Sequence, residues 1–202
     1  VRIDHGIASG GVVSPHYDPM LAKIIARGRD REEARRKLIR ALEDTTLLGV
    51  KVNKRFLLSI LRHEVFISGR FGTGFIAQHL QHDPSLSQQK ATPQQLALVA
   101  ALLKARTGTT RPLRSGLLTA RPVSLFDGAQ KTALSVEEIS AVRGRAFRIQ
   151  TGGEQHEVRV LSHHASTWRV ELDGVLRNVA ARVEEPRVLL DSGEGTLIVE
   201  DV

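Results

Sequence analysis

The sequence predicts an α+β chain in two parts: a mixed segment of strands and helices, then an antiparallel β-barrel around a central hydrophobic helix. Three observations predict it. Leu96 to Leu103 is an unbroken apolar run, which at 100° per residue leaves the helix no polar face, so that helix must be enclosed. From about Leu117 onward helical periodicity is absent, and short alternating runs are separated by glycine turns, as strands require. Before Gln81 apolar residues recur instead at helical spacing between turn formers. A sheet that curls its apolar face around the oily helix satisfies both elements, and closure removes exposed sheet edges.

The 202 residues, 41% hydrophobic and 25% charged, suffice for two compact domains and exclude a disordered or collagen-like chain. No apolar run reaches the roughly 18 residues that cross a bilayer. With no Cys there is no disulfide, thiolate metal site or cysteine nucleophile, which fits a reducing compartment. The chain opens at Val1 without a targeting pattern and reads as an excised piece of something longer. The net charge of +7 suits a polyanionic partner, but the densest basic stretch, Arg27 to Arg40, is interleaved with Asp30, Glu32 and Glu33, as on a solvated helix face. Aromatics, at 4%, offer few stacking platforms for nucleic acid.

Turn formers from Gly6 to Pro19 predict loops and short strands, and Met20 to Ala26 a mostly buried strand closed by Gly28. Asp30 and Glu33 form a capping-box variant for a helix whose apolar face is Ala34, Leu38, Ala41, Leu42 and Thr45, with Arg35, Arg36 and Arg40 in water and Gly49 at its end. Asn53 caps a second helix with Phe56, Leu57, Ile60 and Leu61 along one stripe, and Thr73 or Gly74 starts a short third turn. Gln81 to Ala91 is polar and aperiodic. It divides the chain into residues 1–84, a linker at 85–91, and residues 92–202 with a helix over 92–106. Thr92, Pro93 and Gln95 are that helix's start signal. Strands follow at Phe147 to Ile149, Glu157 to Val160, Trp168 to Leu172, Val179 to Val183, Val188 to Leu190 and Leu197 to Val199. Asp173-Gly174 makes a two-residue hairpin.

Self-sufficient chemistry is hard to find. There is no GxxxxGK[ST], HExxH, GxSxG or EF-hand loop. Gly69, Gly72 and Gly74 read as turns rather than a phosphate cradle, His79 and His82 lack a third ligand, and His163 and His164 read as solvated in a turn. No catalytic, cofactor-binding or metal-ligating residue is therefore assigned. The exception is Ser14 to Ile25, where Tyr17 and Asp18 sit between prolines before a strand, a rigid loop that presents polar groups. Its plain structural reading is that Asp18 caps a turn and Tyr17 packs at the surface.

The stretch SPHYDPMLAKIIARGRDREEARRKL, with LLGVKVN at 47 to 53, FLLSIL at 56 to 61 and TGFI at 73 to 76, resembles the C-terminal end of biotin carboxylase. It is most similar to the biotin-containing α subunits of methylcrotonyl-, geranyl- and propionyl-CoA carboxylases. The resemblance covers Val1 to about Leu80. It implies that residues 92–202 are the mediating domain, a hydrophobic helix inside a barrel that docks onto a carboxyltransferase β subunit through outer strands and the Arg111 to Pro122 loops. It also implies a biotin carrier domain after this region, and a parent ligase that uses ATP, bicarbonate, biotin and Mg²⁺ or Mn²⁺ in the cytoplasm, or in the mitochondrial matrix if eukaryotic. Tyr17 and Asp18 would then border the biotin pocket, Asp18 orienting an arginine upstream of Val1. This piece alone would be inactive, with no bound cofactor. A methylcrotonyl-type substrate is favoured. The alternatives are a pyruvate or urea carboxylase fragment, and a free-standing basic module for RNA or an acidic protein.

Overall fold

A computed structural model describes residues 1–16, 18–107, 120–191, 193 and 195–202. The chain divides into two compact units, Val1–Ser87 with Gly193–Gly195, and Gln88–Ser192 with Thr196–Val202.

The first unit opens with a two-stranded antiparallel ribbon, β1 (Arg2–His5) and β2 (Ala22–Ile25), with Arg2 opposite Ile25 and His5 opposite Ala22. The strand expected over Met20 to Ala26 is thus shorter, and it is not buried. Met20 is 68% exposed and within β2 only Ala22 and Ile24 are half-buried, because the strand has a single neighbour and covers one face.

Helix α1 (Arg31–Asp44) starts as the sequence predicts. Asp30 accepts the Glu33 N–H at 2.7 Å. Glu33 reaches back one residue further than a standard capping box, to the Arg29 N–H at 2.8 Å. That amide, with Lys37 and the Arg29 side chain, holds the Glu33 carboxyl down to about 2. The helix ends at Asp44 rather than near Gly49, because Thr45 turns extended and its hydroxyl bonds back to Ala41 O. Two cations read from sequence as surface groups, or passed over, act as anchors. Arg35 is largely buried and donates to Leu61 O at 2.7 Å. Lys54, 6% exposed, donates to Glu43 O and Thr45 O at the C-terminal end of α1, where orphan carbonyls and the helix dipole favour a cation.

Helices α2 (Lys54–Arg62), α3 (Glu64–Ser68) and α4 (Phe75–His79) follow. Asn53 precedes α2 without a side-chain cap, and the buried stripe is Leu58 and Leu61, while Leu57 is exposed. These two join Leu42 in a small core, with Ile24, Leu38, Ile39 and Phe66 packed against it. Part of the polar stretch after Leu80 is ordered. Asp83 caps a 3₁₀ turn at Pro84–Leu86, accepting from the Ser85 N–H and from the Ser59 hydroxyl at 2.6 Å, and the Ser59 bond leads the causes that hold its carboxyl below the ordinary value.

The second unit is a closed, all-antiparallel eight-stranded barrel around α5 (Pro93–Thr107). Its strands are β3 (Arg121–Phe126), β4 (Lys131–Ile139), β5 (Arg145–Thr151), β6 (Glu154–His164), β7 (Thr167–Leu172), β8 (Val175–Glu184), β9 (Arg187–Asp191) and β10 (Thr196–Asp201), the last paired with both β9 and β3. Leu96 to Leu103 are each at most 6% exposed and α5 packs against β3, β4, β5, β6, β8 and β9. The helix apolar on every side is therefore sheathed. Thr92 and Gln95 exchange bonds as a capping box, at 3.2 and 2.9 Å. β3 and β4 were not singled out in the sequence, although Val123 and Leu125 alternate about Ser124, and Leu134 and Val136 about Ser135, as half-buried strands do. Gly144 marks a contact that only glycine allows: a Cβ there would lie 2.1 Å from Val160 O, beside the bulge between Val160 and Ser162.

The barrel holds both ends of α5 with charge of the favourable sign. At the N-terminal side Asp127, 5% exposed, accepts the Ala91, Ala129 and Gln130 amides. Burial alone would raise its carboxyl, but backbone amides donating to the charged form bring it below the ordinary value. At the other end Arg145 donates to Lys104 O at 2.6 Å and Ala105 O at 3.1 Å, and clasps Glu138 through Nε and Nη2.

Candidate functional site

The segment between β1 and β2 is the loop in which the sequence places Tyr17 and Asp18. Tyr17 lies outside the described residues. Asp18 is exposed, and its Oδ1 accepts the Met20 N–H at 2.8 Å, with the Ser14 hydroxyl accepting the His16 N–H at 3.2 Å. These are Asx and Ser turns, which fix the loop's course into β2. One carboxylate oxygen of Asp18 is thus spent on the turn; Oδ2 has no partner among the described residues. The ribbon positions the loop, since pairing runs from Arg2 to His5 and Gly6 closes on Leu21 O.

The histidines sort differently from their sequence spacing. His79 packs at a tilt against His63, with centroids 5.2 Å apart, and against Phe75. His63 accepts the Val65 N–H, so its ring caps α3. Phe66 and Phe71 stack beside this pair and receive the Arg31 guanidinium over their faces, while Arg31 also donates to Phe66 O and Ile67 O. This is a packed junction. His163 and His164 end β6 rather than a turn, and His163 lies flat on Trp168 at 4.5 Å. Gly69 closes α3 and Gly74 opens α4, each helix only five residues long, so the glycines punctuate.

Sequence reading missed the polar cluster at the β7–β8 turn. His156, 5% exposed, contacts Asp173 Oδ2 through Nδ1 at 2.9 Å and Glu154 through Nε2 at 3.3 Å. Asp173 Oδ1 accepts the Glu157 N–H. Burial pushes the Asp173 carboxyl up, but the Glu157 amide and His156 outweigh it and hold it below the ordinary value. The signal was available, since alternation puts His156 on the core-facing row with Val158 and Val160. Outside it, Glu157, Arg159, Glu171, Asp173 and Gly174 line an open cleft of about 310 Å³, with Arg159 paired to Glu171 at 3.2 Å.

The basic surface of α1 is largely neutralised by its own acids, through Arg29–Glu33, Lys37–Glu33, Arg35–Glu32 and Arg40–Asp44. This weakens its field toward a polyanion and disfavours the RNA reading. Among the described residues no three His, Asp or Glu converge as a metal site. Among the described residues no helix is long and apolar enough to cross a membrane.

A family model described as the biotin carboxylase C-terminal domain matches residues 1–78. Pyruvate carboxylase 1 of Caenorhabditis elegans is 32% identical over 151 residues, 71% of this chain and 12% of that protein. A stretch covering that share necessarily includes α5, β3 and β4, so the likeness continues past the family match. Pyruvate carboxylase of Pichia angusta is 49% identical over 77 residues, 38% of this chain and 7% of that protein. The mitochondrial pyruvate carboxylase of Homo sapiens is 41% identical over 80 residues, 39% and 7% respectively. The chain thus spans only a small part of these relatives. Residues 1–78 thus match the biotin carboxylase C-terminal domain, an eight-stranded antiparallel barrel follows them, and the chain is similar to a part of pyruvate carboxylases.

Proposed function

We propose that the intact protein is the α subunit of a biotin-dependent acyl-CoA carboxylase, and that residues 92–202 dock it onto a carboxyltransferase β subunit. The observation that carries this reading is α5 sheathed by a closed barrel immediately after the biotin carboxylase sequence, the arrangement the family resemblance implies for a mediating domain. The parent would couple ATP and bicarbonate to biotin, with biotin on a separate carrier domain and the divalent cation held by residues outside this chain. Here Asp18 acts as a positioning residue: the Met20 N–H fixes one oxygen, and the other is available to orient an upstream arginine at the edge of the biotin pocket. Of the Arg111 to Pro122 loops expected at the interface, 111–119 lie outside the described residues. A methylcrotonyl-type acyl group remains the favoured substrate. The cytoplasm, or the mitochondrial matrix in a eukaryote, is the matching compartment.

A second reading, a pyruvate carboxylase, is supported by the relatives that match. Labelled bicarbonate separates the two. The intact protein with ATP, Mg²⁺ and its co-expressed partners is expected to fix label into an enoyl- or acyl-CoA and not into pyruvate; incorporation into pyruvate alone overturns the acyl-CoA reading. A variant lacking residues 92–202 is expected to lose co-purification with the β subunit, and retained assembly removes the docking role. Asp18→Asn is expected to lower biotin-dependent turnover at unchanged melting temperature.

A further inference from the structure

Strand β8 runs from Val175 to Glu184, but only Ala181–Glu184 pair with β9. Over Val175–Ala180 it has β7 on one side and, among the described residues, no strand on the other. The wall of the barrel therefore carries a free strand edge. The Asp173-Gly174 turn decides which backbone groups line it. In a two-residue hairpin the flanking residues, Leu172 and Val175, bond to each other, and inward and outward positions alternate from there. Val175, Arg177 and Val179 thus turn their N–H and C=O toward β7, while Leu176 and Asn178 turn theirs away. The Ala181 N–H, donating to Ser166 O at 2.7 Å, keeps the same phase. A row of outward donors and acceptors is a template for strand addition.

The side chains show the same incompleteness. On the core-facing row Trp168, Val170 and Leu172 of β7 are buried, whereas Val175 and Arg177 opposite them are exposed. Val175 and Leu176 are each 51% exposed. The hairpin is nonetheless held firmly, because Asp173 donates its N–H to Glu157 O, accepts the Glu157 N–H and contacts His156. An edge fixed in advance loses less freedom when a partner binds. Its charge is one-sided. Val175–Ala180 contains Arg177 and no acid, and the nearby carboxylates of Glu171 and Asp173 are already engaged by Arg159 and His156.

We propose that the free edge of β8 receives an extended acidic segment of a partner protein as an added antiparallel strand. Its backbone bonds to Leu176 and Asn178, a carboxylate sits opposite Arg177, and an apolar side chain covers Val175. The inference stands whichever carboxylase the intact protein is.

Residue-resolved amide exchange on the 202-residue chain tests it, with acetyl-Val-Thr-Glu-Thr-Val-amide as probe, which sets Glu opposite Arg177 and Val opposite Val175, and the same peptide carrying Lys for Glu as control. In the free chain the Leu176 and Asn178 amides are expected to exchange at least about tenfold faster than those of Val175, Arg177 and Val179. The acidic peptide is expected to slow both by about tenfold and the basic one to leave them unchanged. Asn178→Pro, which removes an outward N–H and spares the bonds to β7, is expected to abolish that protection, and Arg177→Glu to reverse the preference between peptides. Slow Leu176 and Asn178 amides in the free chain, equal protection by both peptides, or no protection at millimolar peptide would each overturn the proposal.

Discussion

In the barrel unit, buried side chains from all eight strands and from every side of α5 form one continuous cluster; in the helical unit the buried cluster is Leu42, Leu58 and Leu61. The helical unit is held by polar anchors as well. Arg35, Lys54, Asp83 and Arg31 each tie one helix to backbone or side chains of another segment. The difference is one of directionality. Burial of apolar surface is spread over many atoms and tolerates small shifts, whereas a charged donor on a carbonyl works only at one geometry and leaves an unpaired charge if its acceptor moves. The barrel should therefore lose stability in proportion to volume removed, and the helical unit in steps set by single contacts.

The largest expected effect is Leu102→Ala, at the centre of α5 and fully buried. Removing it should cost about 3 kcal/mol and lower the barrel's melting transition by roughly 15 °C in calorimetry. A shift of only a few degrees would mean that α5 is not the organising core. Lys54→Met comes next. It keeps the apolar stem but strips the donor from Glu43 O and Thr45 O, and should cost roughly 1.5–3 kcal/mol, read as faster exchange through the last turn of α1. A neutral result would erase the contrast between the units.

Asp127→Asn should cost about 1–2 kcal/mol at neutral pH, since an amide cannot accept from all three backbone donors. Its pH dependence follows from the depressed native carboxyl. The stabilisation is complete above the unfolded value of 3.8 and is lost as pH falls through the lower native value. Urea melts of the two proteins should therefore converge below about pH 4. A gap that persists at pH 2 would show that the charge is not what matters. The smallest effect is Glu33→Gln, which should leave the fold intact and loosen only the first turn of α1, visible as faster exchange of the Arg29 amide.

Much of the fold was legible in the residues. The enclosed helix, both capping boxes, the Asp173-Gly174 hairpin and six strands follow from patterns within a few residues. Misses came where a residue's role depends on a distant partner. Arg35 reads as a surface cation until Leu61 O, 26 residues away, lies against it. β3 and β4 each show only a short alternating pair, Val123 and Leu125 or Leu134 and Val136, and are fixed as strands because β10 and β5 pair with them. In the candidate loop the turn-forming role of Asp18 was readable from its place between prolines, whereas the His156–Asp173 contact required β6 and the β7–β8 turn to meet in register.

By itself the sequence determined that a helix apolar on all sides had to be wrapped, and that the material to wrap it came downstream. Hydrophobic periodicity is a one-dimensional property that admits few solutions. Only the tertiary structure decided that Arg145 and Asp127 hold the two ends of that helix, that Lys54 closes another, and that half of β8 pairs on one side only among the described residues. The barrel outcomes depend on strand register and strand length in the closed sheet, where a shift of one residue exchanges inner and outer faces, and the Lys54 contact on the packing of α2 against α1.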